Sequence, residues 1–188
     1  MNRLKTQWIE ERIPYTGLEL RSHFALEKWD IEGDNVIAFI GECNVPKNHL
    51  VDLLDAKTNA VIYSPLMLHF LGEFFNDNLE RAIWRQRLFV TILKERCEAL
   101  IPKLRLQRKG NDLYDGGKKL NVSIATATPL STLLHIGVNI ETQGTPVATA
   151  GLRNYNIDSV SFAKETLQQF AQEMDGVYRD LCKVRSVP

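Results

Sequence analysis

The chain has 188 residues, 44% hydrophobic and 24% charged, which fits one compact folding unit over residues 1–188 and leaves little room for a second full core. With 23 basic and 23 acidic residues the formal charge is zero, so no global field draws the protein to nucleic acid or to an anionic membrane, and any anion site has to be local. The apolar run Val61–Phe75 is interrupted by Ser64, Pro65, His69, Gly72 and Glu73, too polar to span a bilayer, and MNRLKTQWIEERIPY lacks the apolar block of a secretory signal, so a cytoplasmic location is expected.

In chain order, Ser22–Trp29 and Val36–Cys43 read as strands joined by IEGDN, whose Gly33, Asp34 and Asn35 supply turn chemistry for a hairpin. Arg21 and His23 would then share one side of the first strand. Residues Asp52–Asn59 read as loop and turn. VIYSPLMLHFLGEFF reads as a strand, with Pro65 placing it at an edge or marking a break. From Asn78 to Leu100 the apolar positions recur every three to four residues, the spacing of a helix face, and Pro102 stops it. Leu104 and Leu106 alternate with Arg105 and Gln107 in a strand running towards Tyr114. The last element is an amphipathic helix over 159–184 with Asp158 or Ser159 as its N-cap. The sum is an α+β fold, a mixed and largely antiparallel sheet backed by helices.

The central stretch GNDLYDGGKKLNVSIATATPLSTLLHIGVNI carries the candidate chemistry. Side chains alternate along a strand, so after the Gly116-Gly117 turn Leu120, Val122 and Ile124 face one way and Lys119, Asn121, Ser123 and Ala125 the other. In the next strand Leu134, Ile136 and Val138 oppose His135, Gly137 and Asn139. A symmetric connection through Thr128, Pro129 and Leu130 pairs Lys119 with Asn139, Asn121 with Gly137 and Ser123 with His135. One small, polar face with a single lysine results, suited to a small ligand bearing a carboxylate or phosphate.

Other candidates are weaker. His69 sits in an apolar run and reads as a hydrogen-bonded core histidine. Glu42, Asp52, Asp55 and Glu73 are magnesium-ligand candidates but read as scattered, solvated carboxylates, and Asp112 with Asp115 beside Asn111 is a better metal candidate that turn formation explains equally well. Cys43, Cys97 and Cys182 lie far apart with no metal-ligand spacing, so they read as reduced structural thiols and no zinc site is expected. Lys103, Arg105, Arg108 and Lys109 form a basic cluster without interleaved aromatics, which argues against nucleic acid. A homodimer through a sheet edge or through VIYSPLML is consistent with the pattern.

At NDLY (Asn111–Tyr114), the glycine turn, Lys119-Leu120 and HIGVNI (His135–Ile140), the chain resembles the catalytic module of biotin protein ligases and lipoate ligases. The resemblance implies the fold shared with class II aminoacyl-tRNA synthetases. It implies that Lys119, or Lys118 if the register slips, contacts the acyl carboxylate and the phosphate of an acyl-adenylate, with Asn111 and Asp112 bordering the nucleotide or metal site. Lys119 is the residue it marks as catalytic. ATP and magnesium are implied by resemblance only, since no Arg- and Gly-rich loop precedes residue 110. Octanoyl transferases carry a nucleophilic cysteine in Pro-Cys-x-x-Ala-Gly, and the matching PVATAG has Val147 there; valine forms no thioester, so transfer of an acyl or nucleotidyl group would be non-covalent. Absence of both features also fits a binding or assembly protein without chemistry. IPYTGLELRSHF, VIAFIGECNVPKNHLVD and LMLHFLGEFF are similar to domain of unknown function 366, a family within the same superfamily that carries no assigned activity.

Overall fold

The computed structural model describes residues 4–58 and 60–187; Asn59 and the ends of the 1–188 unit lie outside the described residues. Five strands form the main sheet: β1 (Lys5–Trp8), β2 (Asn35–Val45), β3 (Ile62–Phe75), β7 (Asn121–Ala127) and β8 (Ser131–Asn139), in the order β1-β2-β3-β8-β7. Among the described residues, β1 and β2 are the one pair of these five strands that runs parallel. A small sheet of β4 (Gln107–Lys109), β5 (Asp112–Asp115) and β6 (Lys118–Lys119) stands beside it. The helices are α1 (Phe24–Trp29), α2 (Leu53–Thr58), α3 (Leu79–Leu100) and α4 (Ser159–Lys183).

The expected long helices form where their caps are. Asn78 Oδ1 accepts from Arg81 N at 2.9 Å to start α3, and Asp158 Oδ1 accepts from Ser161 N at 2.8 Å to start α4. Both pack on one face of the sheet, where Phe89 of α3 lies 4.9 Å from Phe70 of β3 and 4.8 Å from Phe170 of α4, ring centre to centre. Val36, Ala38, Leu68, Leu134, Ile136 and Val138 complete that core. On the other face Ile37, Phe39, Met67 and Leu71 lie under a cover of residues 9–31 that includes Tyr15, Phe24 and Ala25. A sheet buried on both faces explains why β8 is buried at every residue instead of alternating.

Four sequence-based expectations are corrected here. The stretch Ser22–Trp29 contains no strand: FALEKW is built of good helix formers and makes the one-and-a-half turns of α1, ended by Asp30 in the left-handed region, so Arg21 and His23 precede a helix and IEGDN joins no hairpin. Of the Asp52–Asn59 loop, Leu53–Thr58 is the short helix α2, with Asp52 Oδ1 accepting from Leu54 N at 2.8 Å. Pro65 belongs to the central strand β3, not an edge. It is tolerated because it marks a break in the ladder: between the pairs Gly41–Met67 and Cys43–Ser64, Pro65 and Leu66 together face Glu42, a bulge in β3 itself, and pairing of β3 with β8 begins only at Met67. The strand drawn from Leu104 towards Tyr114 is two strands, β4 and β5, turned at Gly110 and Asn111.

Candidate functional site

A cavity of about 540 Å³ opens between the small sheet and the face of the main sheet away from α3 and α4. Its mouth is built by the β5–β6 hairpin. Gly116 and Gly117 both have positive φ, 53° and 89°, as a two-residue hairpin loop requires, and they set Asp115 opposite Lys118 and Tyr114 opposite Lys119. Asp112 and Tyr114 share a face of β5, so Lys119 reaches diagonally to Asp112 and its Nζ lies 2.9 Å from Oδ2. The segment through Ala148 runs alongside: Lys119 N donates to Ala148 O at 2.9 Å and Ala150 N to Lys119 O at 3.0 Å. Lys119 is about one-quarter exposed, charged, and borders the cavity.

The expected register between the two central strands is wrong by one residue. Thr128 N donates to Ser131 O at 2.8 Å, closing a two-residue loop of Pro129 and Leu130 where a three-residue connection was expected. Asn121 therefore pairs with Val138, Val122 with Gly137, Ser123 with Ile136 and Ile124 with His135. A slip of one residue exchanges the faces. It is Val122 and Ile124 that share the cavity side with His135, while Asn121 turns away from the cavity. Asn121 is fully buried, its Oδ1 accepting from Leu113 N at 2.7 Å and its Nδ2 donating to Asn111 O at 3.1 Å. It holds the small sheet to the large one.

Lys119 still faces the cavity because the alternation breaks where the chain passes from β6 into β7. Leu120 leaves the small sheet, its N–H bonded to Leu113 O at 2.8 Å and its C=O accepting from Asn139 N at 3.0 Å, and its side chain enters the helix-side core. Two further expected residues are spent elsewhere. Ser123 touches the cavity wall, but its hydroxyl donates to Asn111 O at 3.1 Å and accepts from Gln86 of α3 at 2.9 Å. Gly137 offers its backbone to no ligand: a Cβ there would lie 2.2 Å from Met67 Sδ, so the space is filled by the thioether. Asn111, Asp112, His135 and Asn139 all border the cavity with Lys119. Asn139 Nδ2 donates to Lys119 O at 3.3 Å, and Asn111 Nδ2 to Ser123 O at 2.9 Å, so both amides brace the walls.

The floor is aromatic. The ring of Tyr15 stacks on that of His135 at 3.7 Å, 12° from parallel. His135 Nε2 lies 3.0 Å from His69 Nδ1, and His69 Nε2 lies 3.3 Å from Gly41 O. Burial pushes both imidazoles down, His69 to about 3 and His135 well below its ordinary value, the latter also through its histidine neighbour. Burial pushes the Tyr15 phenol up, and the Cys43 thiol beside it up to about 12. These groups are neutral at pH 7.

Sequence reasoning assigned His69 to the core, which it occupies, and overlooked Tyr15. Its placement depends on Gly41: a Cβ at that position would lie 1.7 Å from Ile13 O. Without one, the chain from Ile13 lies against β2, with Tyr15 N donating to Glu42 O at 2.8 Å. A glycine inside a strand of large residues was the available signal. Asp55 borders the cavity from α2, Asp52 from the residue before it, and Val147 from the segment 145–149. Glu73 lies elsewhere, accepting from His23 N and from Ser131 Oγ at 2.6 Å. Among the described residues no three acidic, histidine or cysteine groups cluster as a metal site, and no helix is long and apolar enough to cross a membrane.

The model of the family described as Domain of unknown function (DUF366) matches residues 4–185. An uncharacterized protein of Methanocaldococcus jannaschii is 33% identical over 94% of this chain and 82% of its own length. A protein of unknown function from Pyrococcus horikoshi superposes with a TM-score of 0.93 at 34% identity, over 98% of this chain and all of that one. In fold, the chain is similar to a biotin protein ligase mutant from Aquifex aeolicus in complex with biotin, with TM-score 0.60, 14% identity, and 91% of this chain against 70% of that one. It is also similar to a T. acidophilum protein described as a lipoate protein ligase candidate with bound lipoic acid, with TM-score 0.56, 14% identity, and 90% of this chain against 84% of that one.

Proposed function

The chain belongs to this domain-of-unknown-function family, and from that premise we propose that it binds a small amphipathic molecule whose carboxylate or phosphate is held by Lys119. The observation that carries the reading is the placement of one ammonium in the same 540 Å³ cavity as an apolar and aromatic floor. That volume suits a metabolite-sized ligand. An ammonium has three N–H donors; one is directed at Asp112 and two remain for an incoming anion. Asp52 and Asp55 on the α2 wall repel the anion, so its orientation is set: head at Lys119, body over Met67, Val122 and Tyr15. The fold's likeness to proteins solved with biotin and with lipoic acid, both carboxylates, supports the ligand class.

Binding without covalent catalysis is favoured over thioester chemistry by Val147, which borders the cavity where the resembling transferases carry a cysteine. Transfer of an acyl or nucleotidyl group would rest on Lys119 stabilising charge. Calorimetric titration with octanoate, lipoate and biotin, with and without ATP and magnesium, tests the reading. Lys119→Met should weaken binding of the acid that binds by about 10- to 100-fold, the loss of a charge-assisted hydrogen bond, with little change in Tm. Unaltered affinity in that variant rejects the proposal. Pyrophosphate release with ATP marks an enzyme, and tight binding without turnover marks a binding protein.

A further inference from the structure

The cavity floor carries a hydrogen-bond acceptor whose protonation is dictated by its partners. Gly41 O can only accept, so His69 Nε2 carries a proton. His69 is neutral, so its Nδ1 is a bare acceptor, and His135 Nε2, 3.0 Å away, must be the donor to it. His135 is also neutral and has spent its only proton. Its Nδ1 is left with a lone pair and no hydrogen-bond partner among the described residues, on a ring that borders the cavity. Tyr15 stacks on the face of that ring at 3.7 Å, not on its edge.

We propose, resting on the binding reading above, that His135 Nδ1 accepts a hydrogen bond from an uncharged N–H or O–H group at the far end of the ligand, making the client an acid with a remote neutral donor such as a hydroxyl, amide or urea. A second carboxylate there would face a lone pair, and an ammonium would be desolvated against a buried aromatic floor, so a neutral donor is the group the floor selects. The separation also follows from the fold. Asn139 bonds Lys119 O and stands four residues from His135 on β8, about 13 Å along a strand, and the lysine side chain shortens the reach to roughly 7–13 Å.

The probes are straight-chain acids of six, eight and ten carbons, each compared with its ω-hydroxy form, titrated into the wild type, His135→Phe and Lys119→Met. In the wild type one hydroxy acid should bind about 3- to 10-fold more tightly than its parent, the yield of one net hydrogen bond, and the preference should vanish in His135→Phe while dependence on Lys119 persists. Parent acids that bind through Lys119 with no hydroxyl preference at any length overturn this inference alone. Binding indifferent to Lys119 overturns the reading beneath it. Because His135→Phe also removes the partner of His69, nitrogen-15 NMR of the wild type supplies a second measure: His69 and His135 should both be Nε2–H tautomers at pH 7, and the preferred hydroxy acid should shift His135 Nδ1. A proton on His135 Nδ1 would refute the assignment.

Discussion

The two faces of the main sheet are made from alternate residues of the same strands and are finished in opposite ways. On the helix side, Leu68, Phe70, Leu134, Ile136 and Val138 pack with α3 and α4 into a mainly apolar core. One residue along on each strand, Met67, His69, His135 and Asn139 meet Tyr15 and the small sheet, and part of the space is left open. The difference teaches that apolar burial and buried polar partnerships are divided by face: one side supplies the first, the other holds polar groups in defined pairings at some cost. Phe89→Ala should therefore have the largest effect on folding and the least on the cavity. It removes the ring wedged between Phe70 and Phe170 and should cost about 3–5 kcal/mol in urea unfolding. Binding of an acid to the remaining folded protein should be unchanged, and a large change would show that the faces are coupled.

The second way to break the comparison is pH, which acts on the cavity side through its histidine pair. The His69 pKa is lowered from 6.5 to about 3. Between those values the unfolded chain takes up a proton and the native protein does not, so stability rises with pH in this window, is fully present above pH 6.5, and is lost as pH falls towards 3. From pH 7 to 5 the loss through His69 should be about 2 kcal/mol, with His135 adding in the same direction. Unfolding midpoints in urea across that range measure it. A flat profile would mean that the native pair accepts a proton, and that the tautomers inferred for the floor do not hold.

How far the sequence carries also differs between the faces. The helices were readable because 22 and 25 residues of three-to-four spacing, each begun by an Asn or Asp cap, leave few alternatives. Of the residues bordering the cavity, Asn111, Asp112, Lys119, His135 and Asn139 were legible in the sequence, while the geometry that joins them was misread. Lys119 and His135 were expected on one surface by a pairing that assumed a three-residue connection; they border one cavity through a two-residue loop and a break in alternation at Leu120. Those two departures cancel for Lys119 and do not cancel for Asn121, which is why the lysine is found in the cavity and the asparagine inside the structure. Neither departure has a local signature, because Pro129 serves a two- or a three-residue loop equally well. Tyr15 was invisible for a different reason: it lies outside any periodic element and is positioned by the absence of a side chain at Gly41, 26 residues away in the chain.

The smallest expected effect sharpens the comparison most at the mouth of the cavity. Asp112 and Lys119 are each about one-quarter exposed and 2.9 Å apart, a partly screened pair whose removal by Asp112→Asn should change stability by less than about 1 kcal/mol. Its effect on ligand binding should be the larger one. A carboxylate that approaches Lys119 also approaches Asp112, and like charges at that range oppose binding. Removing the negative charge while keeping the shape should therefore raise affinity for the preferred acid about 2- to 5-fold at low salt, with the gain shrinking as ionic strength rises. A fall in affinity would mean that Asp112 serves chiefly to aim the ammonium, since only a loss of positioning could outweigh the relief of repulsion. The salt series separates these cases, because screening erases a charge effect and leaves a geometric one in place.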